Sequence, residues 1–371
     1  MLEAESSPVL EPGDAEAPMV RRRLVRTLSR AVLFGAGLFV FILALESLKR
    51  GAGAYGSLAS GLFRVESPAG ALGLGWLLAY LFLSGSPVAA LAVSLFAAGS
   101  LDALQTLMMI TGSRLGASLV VLVTGLIYAA RGRHSTEGVA VGVLSLLTTA
   151  VIYLPAMALA YVLVAGEFIT VPAISATAPL TSLLDPIVDP IAGVMLDHVS
   201  PLGLIGTAIL LLMGAFTLLD RALPTIHHES RALGRVERLS GSPTAMFLLG
   251  AGITSVTLSV SVSVSALVPL AARGVVRRER VVPYIMGANI TTFVDTLVAA
   301  LIVAGSAAFA IVLIEMVCVT FFSLLALACC YHPLERSLLR LQQVIMHNHR
   351  ATAAFAAVLV LVPLGLLLLW R

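Results

Sequence analysis

The chain has 371 residues, of which 59% are apolar and 12% charged, and its 31 glycines bring the apolar-plus-glycine share to about two-thirds. Soluble proteins run at roughly 45–50%, and no water-soluble domain of this size has an interior able to hide that surface. A soluble enzyme is excluded, and a polytopic membrane protein is expected; the net charge of +3 then matters less than where the charges fall.

Residues 1–30 read as a disordered cytoplasmic tail, acidic first (Glu3, Glu5, Glu11, Asp14, Glu16) and then basic (Arg21, Arg22, Arg23, Arg26). That order is the reverse of a secretory signal. Apolar stretches near 31–48, 106–130, 138–165, 203–220, 282–304, 308–330 and 352–370 each reach the roughly 20 residues a membrane-crossing helix needs. Two more, near 70–99 and 244–272, are too long for one crossing and are interrupted. The first breaks at Ser84-Gly85-Ser86-Pro87, the second along Ser255, Thr257, Ser259, Ser261, Ser263 and Ser265. The alternation of the second has the period of a strand. A lone strand in lipid leaves its backbone unpaired, so a broken helix is expected. Residues 166–202 form a connector in which Asp185, Asp189 and Asp197 stand near prolines, a turn and cap pattern. The 331–351 segment is amphipathic and basic and is expected along the cytoplasmic surface, before a final span over 352–371.

Cys318, Cys329 and Cys330 form no metal-ligand spacing, and His227-His228 and the His347-Asn348-His349 run are expected in loops, without further ligands nearby. No transition-metal site, disulfide framework or other cofactor is expected. A nucleophile–base pair and a GxxxxGK loop are both missing from the sequence, so neither an enzymatic role nor nucleic-acid binding is expected.

A repeat runs through the chain at an offset of 175 residues without gaps. Ser67-Pro68 matches Ser242-Pro243, Gly75 matches Gly250, and Leu83-Ser84-x-Ser86 matches Leu258-Ser259-x-Ser261. Ala97-x-Gly99 matches Ala272-x-Gly274, and Ile110-x-Gly112 matches Ile285-x-Gly287. The copies span 31–165 and 203–330, each read as helix, broken hairpin, helix, helix, with Glu46 closing the first helix and Asp220 its counterpart. Charge orients them. The loop after the first break is SLDALQT, whereas the one after the second carries Arg273, Arg277, Arg278 and Arg280, and the segment before the second break carries Arg221, Arg231, Arg235 and Arg238. Basic loops stay in the cytoplasm, so equivalent loops fall on opposite sides and the second stretch enters and leaves by one face. Arg131 and Arg133 agree; Lys49, Arg50 and Arg64, which fall outside, run against it. The expected fold class is all-α: an inverted-repeat transporter with two re-entrant helical hairpins and a cytoplasmic N-terminus in the cell (inner) membrane. Such folds build a central site from broken helices.

Hydroxyls and free carbonyls at a break are hard oxygen donors for a bare cation, and hydroxyls also donate to an oxyanion. Ser84, Ser86, Thr257, Ser259 and Ser261 are therefore candidate ligands; close helix packing through small residues is the plainer account of them. A second constellation holds Thr111, Gly112, Ser113, Arg114 and Ser118, paired with Gly287, Ala288, Asn289, Thr291 and Thr292. Arg114 is a costly charge within the membrane; it either pairs with Asp295 to tie the halves together or offers its forked donors to an oxyanion. Glu315, in mid-helix, is either a proton or cation site or a structural hydrogen-bond partner.

These residues resemble the bacterial and animal type II sodium/phosphate cotransporter family, which carries inverted copies of a QSSS-bearing segment, then A-A-G, then G-A-N-I-G-T-T. The second copy here reads Thr257-Leu258-Ser259-Val260-Ser261, then Gly287-Ala288-Asn289-Ile290-Thr291-Thr292; the first reads Leu83-Ser84-Gly85-Ser86, then Ala97-Ala98-Gly99, then Gly112-Ser113-Arg114. Leu83 and Leu258 stand where the family has glutamine, and Arg114 where it has the asparagine. The resemblance, over about residues 31–330, implies uptake of phosphate or another small anion coupled to Na+ across a lipid bilayer. Ser84, Ser86, Ser259, Ser261, Asn289, Thr291 and Thr292 would bind substrate and ion, and Arg114 would supply a fixed positive charge. A carrier of another anion, a sodium-independent carrier, and a scaffold that has lost transport remain alternatives, and a homo-oligomer is open.

Overall fold

The computed structural model describes residues 12–55, 65–130, 136–166, 168, 178–222, 242–272 and 276–369. Glu3, Glu5, Glu11, Arg64, Arg131, Arg133, His227, His228, Arg231, Arg235, Arg238 and Arg273 lie outside the described residues. The described residues are all-α and about nine-tenths helical, with no strand among them. Seven spans there are long and apolar enough to cross a membrane: Thr27–Ala54, Ala103–Ala130, Glu137–Ala165, Pro201–Leu219, Arg278–Val303, Gly305–Cys329 and His349–Leu369. The protein is membrane-embedded.

In chain order the helices are α1 (Pro12–Tyr55), α2 (Pro68–Phe82), α3 (Ser86–Ala97), α4 (Ala103–Ala117), α5 (Leu119–Ala130) and α6 (Glu137–Ala165). Then come α7 (Ala178–His198), α8 (Pro201–Ala222), α9 (Pro243–Thr257), α10 (Val260–Ser265), α11 (Leu267–Ala272) and α12 (Arg278–Thr291). The last four are α13 (Phe293–Val303), α14 (Gly305–Cys329), α15 (Tyr331–His347) and α16 (His349–Leu369).

Local signals explain the boundaries of the broken segments. Pro68 and Pro243 open α2 and α9, where a missing N–H costs nothing, and the Ser67 hydroxyl accepts from the Gly70 amide at 3.0 Å. Both helices run 15 residues and stop at a leucine in the left-handed region, Leu83 (φ 49°) and Leu258 (φ 52°). Asp102 then starts α4 with a capping box to Gln105.

Glycines set the packing of both copies. An added Cβ on Gly75 would stand 2.1 Å from the Met109 carbonyl oxygen, and one on Gly112 2.1 Å from that of Leu72. The same clashes recur 175 residues on, Gly250 against Tyr284 at 2.1 Å and Gly287 against Phe247 at 2.0 Å. Where Gly116 closes on the Trp76 carbonyl, its counterpart Thr291 donates to the Ala251 carbonyl at 3.0 Å. So α2 lies backbone to backbone on α4, and α9 on α12, with small residues allowing the approach. Helices α1 and α8 form a third close pair: Gly37 faces Leu219 and Gly51 faces Ile205, so they run antiparallel, and Phe41 meets Phe216 edge-on at 5.5 Å. The core lies around α3, α4, α6 and α14, where Leu91, Leu107, Ile110, Leu144, Ile152 and Val312 are buried.

Three expectations are corrected. The backbone from Pro12 onward is helical, continuous with the first span, rather than a disordered tail. Glu46 does not close that helix, which continues to Tyr55; its carboxylate instead holds Arg50 at 2.9 Å, and Arg50 also pairs with Asp189. The connector carries a 21-residue helix, α7, with Pro186 and Pro190 inside it, so Asp189 serves an interhelical ion pair rather than a turn. That pairing also neutralises Arg50, one of the three cations that ran against the loop-charge pattern.

Candidate functional site

The two breaks meet. Ser84, Gly85 and Ser86 of the first and Ser259, Val260 and Ser261 of the second line one small cavity with Arg114, Ala117, Ser118, Tyr153, Asn289 and Thr292. Each break begins with a non-glycine residue held at positive φ, a conformation that costs roughly 1–2 kcal/mol for an L-residue and has to be repaid by the surrounding packing. Gly85 is required at the first break, because a Cβ would stand 2.9 Å from the Ser113 carbonyl oxygen. At the second break Ser259 caps α10 by accepting from the Val262 amide at 3.3 Å, and Ser261 donates across to the Ala117 carbonyl at 3.3 Å.

Only about 10 Å³ is free inside this cavity, room for about one water. Outside it a cleft of about 600 Å³ reaches Ser84, Ser259 and Ser261 past Thr124, Thr217 and Ser265. An apolar crevice of about 150 Å³ between α1, α8 and α13 reaches Ser84, Ser86, Ser259 and Asp295 from a different direction.

Arg114 is the fixed charge of the site, 5% exposed. Its guanidinium donates to Thr292 Oγ1 at 3.2 Å, to Asp295 Oδ1 at 3.5 Å and to Thr296 Oγ1. It lies over the Phe293 ring at 5.0 Å, and that ring stacks on Tyr153. The pair is incompletely satisfied: Arg114 Nε and Asp295 Oδ2 are buried without a hydrogen-bond partner. One N–H of the fork and one carboxylate oxygen are thus open to a further ligand.

The hydroxyls divide by what they have left to offer. Ser113 donates to Ile110 O at 2.7 Å and Ser118 to Leu115 O at 2.6 Å, and Thr257 donates to the Ser259 carbonyl at 3.3 Å. With its single hydrogen committed, such an oxygen presents lone pairs only. That suits a cation and not an oxyanion, leaving Arg114 as the strongest anion-facing donor. The Asn289 side-chain amide donates to Thr149 Oγ1 at 3.2 Å, while its backbone carbonyl accepts from the Tyr153 hydroxyl at 3.1 Å.

Of the residues expected at the site, Ser84, Ser86, Arg114, Ser118, Ser259, Ser261, Asn289 and Thr292 line the cavity. Asp295 borders it through Arg114. Ser113, Thr257 and Thr291 do not line it, and Glu315, on α14, meets α4 one turn from Arg114, hydrogen-bonded to Thr111 at 2.7 Å. Tyr153, Thr149, Phe293 and Thr296 were not anticipated. The sequence signal for Thr296 was its place beside Asp295; a single tyrosine or phenylalanine in an apolar run carries none.

Comparison of the chain with protein-family models, with curated proteins and with solved structures finds no match, so the functional reading rests on the residues and their geometry.

Proposed function

We propose that this chain is a secondary transporter of a small inorganic anion, phosphate foremost, working by alternating access across the cell membrane. The observation that carries the proposal is the convergence of two hydroxyl-bearing helix breaks, 175 residues apart in sequence, on a buried, incompletely satisfied arginine. Non-helical backbone at membrane depth is tolerated where it is buried in protein or lines a cavity, and transporters put their sites at such places.

Two further observations support an inverted arrangement of the copies. The repeat partners α1 and α8 run antiparallel, as partners related by an axis in the membrane plane must. The hairpin arms of 15 and 12 residues span about 22 and 18 Å, short of the roughly 30 Å hydrocarbon core, which favours re-entrance over crossing.

In the mechanism we infer, Asp295 occupies the guanidinium in the closed state as a carboxylate stand-in for the cargo. An oxyanion arriving through the cleft at Ser84 and Ser259 takes the free Nε–H and displaces Asp295. Sodium, implied by the GANITT resemblance, would use the lone pairs of Ser118, Ser261, Asn289 and Thr292. Rocking of one copy against the other then closes one cleft and opens the other.

Uptake of radiolabelled phosphate into proteoliposomes, with and without an inward sodium gradient, tests this reading. Gradient-dependent uptake that is lost in Arg114→Ala is expected; an Arg114→Ala chain with unchanged uptake and unchanged sodium dependence would overturn the role given to Arg114. The narrow cavity and the engaged Arg114 favour one second reading, a scaffold in which the Arg114–Asp295 pair is permanent. No uptake together with no phosphate-induced thermal shift would select it.

A further inference from the structure

The buried charges of the core do not balance if Glu315 is ionised. Glu315 is 0% exposed in the middle of α14. One helical turn separates Thr111, which holds it, from Arg114 on the same face of α4. Arg114 already answers Asp295. A charged Glu315 would leave a second carboxylate with no cation of its own in a region where an uncompensated charge is expensive.

Hydrogen counting leads to the same place. Thr111 Oγ1 stands 3.0 Å from the Leu107 carbonyl oxygen and 2.7 Å from Glu315 Oε1. A hydroxyl has one hydrogen and a backbone carbonyl has none to give. The assignment that fills both contacts therefore sends the threonine hydrogen to Leu107 and takes a proton from the Glu315 carboxyl. Glu315 Oε2 has no partner at all, which a neutral carboxyl tolerates far better than a carboxylate.

The other carboxyl that faces this region, Asp295, is already held by Arg114 as its ion-pair partner. Arg114 faces this region from α4, Tyr153 from α6 and Asp295 from α13, with Cys318 one turn along on α14 itself. Helix α3 has no ionisable side chain. On α12, Tyr284 bonds Ser263 in the second hairpin, and on α15 Tyr331 and Glu335 bond each other beyond the far end of α14.

We propose that Glu315 is a proton-binding site and that its proton travels with the anion, making a proton gradient a driving force for this carrier. An oxyanion on Arg114 frees Asp295 and adds negative charge to the cluster, so a proton on Glu315 and an anion on Arg114 favour each other's binding reciprocally. On the releasing side the O–H bond of the carboxyl breaks and the proton passes to water. The carboxylate takes a proton from water on the loading side, and no other bond changes. The coupling half of this proposal rests on the transport reading; the proton site does not.

Two measurements on the full chain separate them. In proteoliposomes with equal sodium on both sides and the interior one pH unit more alkaline, one coupled proton supports about tenfold phosphate accumulation. Wild type is expected to approach it, and Glu315→Gln to lose the accumulation while still exchanging labelled for unlabelled phosphate at equal pH. Accumulation by Glu315→Gln equal to wild type, or a wild type that takes up phosphate with sodium yet ignores the pH gradient, overturns the coupling. Infrared difference spectra of wild type against Glu315→Gln at neutral pH should contain the carbonyl stretch of a protonated carboxylic acid, sensitive to deuterium exchange and shifted by Thr111→Val. Its absence overturns the proton site, whatever the transport result. If wild type moves no phosphate under either gradient, the transporter reading falls with the coupling, and the infrared band alone decides the proton site.

Discussion

Arg114 concentrates the residue-scale physics of the site. It is a cation within a helix span, paired with Asp295 at 3.5 Å, braced by Thr292 and Thr296, and laid over Phe293. Removing one member of a buried pair is costlier than removing both, because the survivor is left uncompensated. Arg114→Ala should therefore lower stability by roughly 3–5 kcal/mol, read as a fall in the thermal midpoint in detergent. Arg114→Ala combined with Asp295→Asn should recover a large part of that loss. A double variant no more stable than the single one would mean that Asp295 finds another partner and that the pair is not the lock we describe.

At the scale of elements, glycine contacts and helix breaks do most of the organising. Gly112 and Gly287 are equivalent in the two copies, and each sits where a Cβ would overlap a carbonyl oxygen of the neighbouring helix. Alanine at either should force α2 from α4, or α9 from α12, at a cost of about 1–3 kcal/mol. Gly252 is exposed with nothing within 4 Å, so Gly252→Ala should be neutral or stabilise by up to about 1 kcal/mol. Thermal unfolding of the three variants side by side checks the contrast, and equal effects at Gly112 and Gly252 would refute the close-packing account. The copies also differ. The second hairpin is held by a buried chain from Thr254 through Ser263 to Tyr284, whose counterparts in the first are Ala79, Val88 and Met109. The first hairpin needs no such chain, since α3 is buried from Ser86 through Leu95.

For the whole molecule, the arrangement in the membrane is what matters. Helix α16 stands at the edge, with Pro363 its one buried residue among those described. It leans on α2, where the Tyr80 hydroxyl donates to the Leu359 carbonyl at 3.1 Å. The inverted arrangement we propose predicts a labelling pattern. In a chain with Cys318, Cys329 and Cys330 replaced by alanine, single cysteines at the exposed positions Ser100, Ser242 and Arg277 should react with an impermeant maleimide from opposite sides. Ser242→Cys and Arg277→Cys should label together from the cytoplasmic face, and Ser100→Cys from the other. Labelling of Ser100→Cys and Arg277→Cys from one face would sink the inversion.

Much of this was legible in the chain itself. Span length is a one-dimensional property, because a helix must carry enough consecutive apolar residues to cross lipid; the seven expected stretches accordingly lie within the seven helical spans to within a few residues. The repeat was legible because Ser-Pro starts, break serines and interfacial glycines are each tied to a backbone geometry. Composition misled at α7, where Pro186 and Pro190 read as turn formers although the helix accommodates both, and at the N-terminal segment, where acidic residues obscured a helix. Which residues meet across the breaks was decided only by tertiary structure. Tyr153, Phe293 and Thr296 gain their roles from helices packed beside Arg114, and the proton count at Glu315 depends on Thr111, 204 residues away in sequence. Hydropathy and local backbone preference act along the chain, whereas charge pairing and hydrogen-bond satisfaction act through space.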